Sequence, residues 1–283
     1  MTKTHNTADT QFVEANGVNY AHRRFGSGTG TPLLFLPHFR AGLDNWDPAL
    51  TDGLAATRPV ILLNNAGIAS SGGEPATTIS GMAQHVIAFS HALGLETIDI
   101  FGHSMGGFVA QQVALDKPEL VRRLILAGTG PEGGESMVSY PDLAAHHATQ
   151  EIPVEENFLY LFFSPTETSQ AAGKAFWVRR HGRKDQDLPS SMAAMRAQTA
   201  AIGAWGAIPS ADRYAKLGGI KNAVLVLNGK EDIMVPTINS FILQQKLPNA
   251  ELILLPDSGH GAIFQFPELV TELVTKFLDR ESH

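Results

Sequence analysis

The sequence predicts an α/β fold: an open, mostly parallel, doubly wound sheet with one helical insertion. Three observations carry that prediction. Short, nearly uninterrupted apolar runs bounded by Gly or Pro recur along the chain, as parallel strands covered on both faces do. Amphipathic stretches lie between several of them. One stretch, 131–221, carries no strand signal and is too long to be a simple connection.

In order, a polar segment from Met1 to Gln11 precedes two short strand-like runs, 12–15 and 18–24, on either side of Asn16-Gly17. That dipeptide favours the type I′ turn of a two-residue hairpin. The buried-strand runs are 32–36, 59–63, 97–101, 121–127, 223–227 and 251–255. Between 77 and 94, Ile79, Met82, Val86, Phe89 and Leu93 recur every three or four positions and predict one apolar helix stripe. Helices are also expected over 47–56, 106–116, 237–245 and 268–279. Within the insertion, helices are expected over 142–149, 155–163, 168–180, 190–205 and 211–217. The organisation read from this pattern is a sheet domain, 1–130 and 222–283, with a helical cap, 131–221, inserted into it.

Composition narrows the function. The chain has 283 residues and a formal net charge of −7, without the basic footprint of a nucleic-acid binder. Charged residues are 17% of the chain, below the roughly 25% of an average domain, and hydrophobic residues are 43%, which favours a substantial core over disorder. With no cysteine, thiol nucleophiles, disulfides and Cys-ligated metals are excluded. The first residues contain no apolar stretch of a signal peptide, and no run approaches the roughly 18 residues of a membrane span. A cytoplasmic protein without membrane or nucleic-acid partners is the expectation; the oligomeric state is not written in the sequence.

Chemistry concentrates at Gly102-His103-Ser104-Met105-Gly106-Gly107, where a predicted strand meets a predicted helix. Gly-x-Ser-x-Gly in that context places a serine on a tight, strained turn with its hydroxyl exposed above the sheet. The Met105 amide, at the helix N-terminus, points at whatever bonds to Ser104. A serine needs a base and an acid that orients it. His260, in Ser258-Gly259-His260 after the last strand, is the candidate base. For the acid, Asp232 in the loop after the preceding strand competes with Glu231, Asp257 and Glu132. These positions lie past the carboxyl ends of parallel strands, where open α/β sheets build their sites.

At these residues the chain resembles the α/β-hydrolase superfamily, from about residue 12 to 280. Within it, the likeness is to serine carboxylesterases, lactonases and cofactor-free haloperoxidases. The resemblance implies Ser104 as nucleophile, Asp232 as acid and His260 as base, with no cofactor and a small-molecule ester or lactone as substrate. It also implies two oxyanion-binding amides, of Met105 and of a residue in the loop after the third strand. That loop reads Pro37-His38-Phe39 in place of the usual His-Gly-x, which makes Phe39 the donor, or Arg40 if shifted by one. A second departure is Asn64, at the start of the turn after the fourth strand, where the family has Asp. Perhydrolysis, or a slow-turnover receptor on the same fold, are the alternative functions.

Other signals carry less. Gly26-Ser27-Gly28-Thr29-Gly30 precedes a strand and lacks the Lys-Ser/Thr of a phosphate loop, so it reads as a turn. His146-His147 has no metal-ligand spacing. The basic run 179–184 reads as a solvated helix end, with one arginine reaching an anionic substrate group as the other reading. The cap's many Phe, Trp, Leu and Met residues predict a largely apolar pocket over Ser104.

Overall fold

Successive residues of a strand point to opposite faces, and here both faces are covered, which is why the strands read as unbroken apolar runs. The computed structural model describes residues 3–139, 141–208 and 211–280. The hairpin strands are β1 (Gln11–Ala15) and β2 (Val18–Phe25), with Asn16 at φ 53° and Gly17 at φ 77°, as the type I′ turn requires. They are followed by β3 (Leu33–Leu36), α1 (Pro48–Ala55), β4 (Val60–Leu63), α2 (Ile79–Ala92), β5 (Ile98–His103), α3 (Met105–Asp116) and β6 (Val121–Ala127). The insertion carries α4 (Asp142–Ala148), α5 (Glu155–Phe162), α6 (Glu167–Arg180) and α7 (Met192–Gly206). The chain returns as β7 (Ala223–Gly229), α8 (Ile238–Lys246), β8 (Ala250–Leu255), a one-turn α9 (Ala262–Gln265) that the sequence reading missed, and α10 (Pro267–Leu278).

The eight strands form one sheet in the order β1-β2-β4-β3-β5-β6-β7-β8, antiparallel at β1/β2 and β2/β4 and parallel throughout the rest. Alternation along the strands divides the core in two. Leu34, Ile100, Leu124 and Val226 face α2, α3 and α8. Leu33, Phe101, Ile125 and Leu225 face α1, α10 and the aromatic residues of α5 and α6. Each layer of helices therefore buries one of the two strand periods.

Helix starts follow local chemistry. Asp47 caps α1, accepting from the Ala49 amide at 2.9 Å with Pro48 at the first helical position. Thr78 caps α2 and Ser191 caps α7 in the same way. One expected helix, 211–217, does not form. Its segment is a series of turns ending in a 3-10 turn, Leu217–Gly219, because Tyr214 sits at φ 64° and Gly218-Gly219 cannot sustain a helix. The N-terminal segment, read as a polar tail, is pinned: the His5 amide donates to Asp52, and Arg183 donates to the His5 and Ala8 carbonyls. The C-terminal half of α7 packs on the sheet layer, with Trp205 stacked on Phe108 of α3 at 5.4 Å. Among the described residues, no helix is long and apolar enough to cross a membrane.

Candidate active site

The turn from β5 to α3 is built by two close backbone approaches. A Cβ on Gly102 would lie 2.5 Å from the Gly106 carbonyl oxygen, and one on Gly106 would lie 1.9 Å from that of Leu36. Only glycine fits at either position. Ser104 between them is held at φ 55°, ψ −121°, a conformation costing a non-glycine residue about 1–3 kcal/mol. Surrounding bonds hold it there: its amide donates to the Ala127 carbonyl at 2.9 Å, and its own carbonyl accepts from the Gly107 amide and the Thr129 hydroxyl, both at 2.8 Å.

Of the carboxylates that competed in the sequence, the fold brings Asp232 to the histidine. His260 Nδ1 lies 2.8 Å from Asp232 Oδ2, and both side chains are buried. The other oxygen, Oδ1, accepts from the Met234 and Val235 amides at 2.8 and 2.9 Å, so the carboxylate is fixed in direction by its own loop. The rival acids are engaged elsewhere. Asp257 accepts from the Thr166 hydroxyl, Glu132 pairs with Lys216, and Glu231 is exposed beside Lys230. Beneath His260 lies the ring of His103, 5.0 Å away, whose Nε2 is 3.0 Å from the His260 carbonyl oxygen. Burial holds His103 well below the usual imidazole range, so it is a neutral packing partner.

The loop after β3 separates Phe39 from Arg40. The Arg40 amide donates to Gln198 Oε1 at 2.7 Å and is not free. Among the described residues, the Phe39 and Met105 amides donate to no protein acceptor. Arg40, at φ 61°, sends its guanidinium to the carbonyls of Gln150 (2.5 Å) and Glu151 (3.0 Å), fastening this loop to the segment after α4. His38 is buried with its Nδ1 2.9 Å from the Phe39 carbonyl oxygen, and burial pushes its pKa down to about 3.

Ser104, His260 and Phe39 line one cavity of about 580 Å³. The insertion supplies Phe158, Leu161, Phe162 and Met192 to its wall, whereas Phe176 and Trp205 pack into the core. The wall is mostly apolar, as the sequence had suggested, but it is not uniformly so. Asp44, Arg40, Asp187 and Arg180 line it as well. The reason lies in its provenance: the β3 loop and the segment after α6 deliver polar residues that helical periodicity in the insertion does not reveal.

The basic run 179–184 is the expected solvated helix end only at His181, Gly182 and Lys184, which are exposed; its three arginines are engaged by the fold. Arg179 pairs with the fully buried Asp47 carboxylate at 2.6 Å, and Arg183, buried, donates to main-chain carbonyls and to Asp185. Arg180 stacks on Phe158 and Trp177, its guanidinium carbon 4.4 and 4.8 Å from their ring centres. The sequence reading had one arginine of this run reaching the substrate as its alternative but could not say which, since nothing local distinguishes Arg180 from its neighbours.

Residues 31–267 match the family described as the alpha/beta hydrolase fold. The chain belongs to the α/β-hydrolase family. An alpha/beta hydrolase fold protein from Chitinophaga pinensis superimposes with a TM-score of 0.92 at 37% identity, covering 99% of this chain and 100% of that one. Among curated relatives, RutD of Agrobacterium fabrum, named as a carbamate hydrolase, is 28% identical over 241 residues, 82% of this chain and 87% of its own. BpoC of Mycobacterium tuberculosis, named as a non-heme bromoperoxidase, is 23% identical over 257 residues, 89% of this chain and 95% of its own.

Proposed function

We propose that this α/β-hydrolase is a serine hydrolase that cleaves a small-to-medium carboxylic ester or lactone through an acyl-serine intermediate. The observation that carries the reading is the 2.8 Å contact of His260 Nδ1 with a carboxylate itself fixed by two amides, in the cavity that Ser104 also faces. His260 bonded at Nδ1 leaves Nε2 to take the Ser104 proton as Oγ attacks the substrate carbonyl carbon. Asp232 holds the ring in that tautomer and balances the imidazolium charge. The tetrahedral oxyanion is received by the amides of Phe39 and Met105, each worth about 3–4 kcal/mol in such a site. The imidazolium then protonates the leaving alcohol, and water deacylates Ser104 by the same path in reverse. This chemistry calls for no cofactor. A cavity near 580 Å³ is of the size that encloses small ligands.

Replacing Ser104 with Ala tests the assignment. Turnover of p-nitrophenyl butyrate should fall to background while the circular dichroism spectrum is unchanged; more than a few per cent residual activity would refute Ser104 as nucleophile. The resemblance to BpoC supports a second reading, perhydrolysis, in which peroxide replaces water at the acyl-serine. Peracid formation from acetate and peroxide, outpacing ester hydrolysis by the same protein, would favour it. Turnover far below about 1 s⁻¹ on every ester, with tight ligand binding, would instead favour a receptor.

A further inference from the structure

Arg180 stands out among the buried charged groups of the cavity wall: Glu151, which also lines it, is exposed, and Arg40 has one orphaned nitrogen, Nε, against the two of Arg180. Among the described residues its Nε and Nη1 are sealed from solvent with no hydrogen-bond partner. The neighbouring ions are committed. Asp44 is paired with Arg23 and accepts from the Asp187 amide. Asp187 accepts from Asn64, Ser70 and the Leu188 amide. Arg40 gives its terminal nitrogens to main-chain carbonyls. A buried guanidinium without acceptors is costly, and burial pushes its pKa down to about 10, so retaining it calls for an occupant that supplies the missing acceptors.

The surroundings also specify that occupant. The Phe158 and Trp177 rings hold the guanidinium through cation–π contact and limit how it can turn. A carboxylate is the matching acceptor for a guanidinium, and Nη2, which is not sealed, is the nitrogen an occupant of the cavity reaches first. Phe158 also lies 6.0 Å from the ring of His38, which sits beside His103 and hence beside the triad histidine. Arg180 and Ser104 line the same cavity, so the cation borders the space in which the substrate would lie.

We propose that Arg180 is the anion subsite of this cavity and that the substrate carries a free carboxylate remote from the bond that is cleaved. The substrate class is then a monoester, or a lactone bearing a carboxylate, of a short dicarboxylic acid. This rests on the hydrolase reading for the reaction and on Arg180 alone for the carboxylate.

The test compares p-nitrophenyl hydrogen glutarate with its neutral isostere p-nitrophenyl 5-methylhexanoate, on wild type, Arg180→Met and Arg180→Lys, correcting for spontaneous hydrolysis. Glutarate binding to the same three proteins is measured by calorimetry. Wild type should favour the carboxylate ester in kcat/KM by about tenfold or more, the worth of a charge-assisted pair. Arg180→Met should abolish that preference, the carboxylate ester losing about tenfold more in kcat/KM than the neutral one. Arg180→Lys, which keeps the charge without the fork, should recover part of it, and carries the comparison if the Met variant does not fold. A preference for the neutral ester in wild type, an unchanged preference in the variants, or equal losses on both esters with a lowered melting temperature would overturn the proposal; the last would make Arg180 structural. If wild type cleaves neither ester, the hydrolase reading falls and calorimetry decides the subsite separately. Glutarate binding lost with Arg180 upholds it; binding that is absent in wild type or unchanged in the variants overturns it.

Discussion

Asn64 stands where the α/β-hydrolase pattern has an aspartate, and its contacts explain the change. Its Oδ1 accepts from the Leu43 amide at 2.9 Å, and its Nδ2 donates to Asp187 Oδ2 at 2.5 Å. A carboxylate could do the first but not the second, because it has no proton to give. The amide therefore joins the turn after β4 to the segment after α6 and keeps the Asp187 carboxylate occupied. Asn64→Asp would set two carboxylates against each other in a buried position, and should cost about 2 kcal/mol in urea unfolding. Adding Asp187→Asn should restore most of that loss. A double variant as unstable as the single would place the cost elsewhere than in this pair.

Among the elements, α6 is tied to the sheet domain at both ends. Thr166, its N-cap, donates to Asp257 beyond β8 at 2.7 Å, and Arg179 in its last turn binds Asp47, the N-cap of α1. Asp47 thus serves two elements with one carboxylate, capping one helix and anchoring another. The Asp47 side chain is fully buried while that of Arg179 is about one-third exposed. Arg179→Met should accordingly cost about 2–3 kcal/mol, below the full penalty of breaking a wholly buried pair. It should also raise KM more than it lowers kcat, since the wall containing Phe158 and Arg180 loosens without touching Ser104. An unfolding midpoint unchanged from wild type would show that Asp47 finds another partner.

Over the whole molecule, acid stability is set by buried histidines. Burial lowers His5 to about 4 and His38 to about 3, and carries His103 well below the usual value. In the unfolded chain these rings titrate near 6.5. Between pH 6.5 and 4 the unfolded state therefore binds more protons than the folded one, and stability falls as the pH is lowered. Asp52 and Asp99, raised by burial, act in the opposite sense. The fall from pH 6.5 to 5 is the contribution of the histidines. Each contributes a slope approaching 1.4 kcal/mol per pH unit there, so the urea midpoint should drop steadily from pH 7 to pH 5. A flat midpoint over that range would show that these rings are charged in the folded protein.

Much of this architecture was legible locally. The strands announced themselves because burial on both faces removes polar residues from both periods, as in 121–127 and 223–227, which form β6 and β7. The serine turn was legible because its glycines are demanded by backbone contacts within and next to the motif. Helix 211–217 misled because its composition permits a helix, while Tyr214 and the following glycines end it in turns. What the chain could not reveal locally is pairing. Asp232 and His260 are 28 residues apart, and nothing near Asp232 distinguishes it from Glu231 until β7 and β8 lie side by side. Arg179, Arg180 and Arg183 look alike in sequence. One meets a carboxylate 132 positions away, one meets carbonyls of the N-terminal segment, and one meets only aromatic rings. Periodicity and turn chemistry act over a few residues, so sequence alone determined most of the elements and the serine turn. Charge neutralisation and desolvation act across whatever surfaces the fold brings together, so only the tertiary structure decided which carboxylate meets His260 and the fate of each arginine.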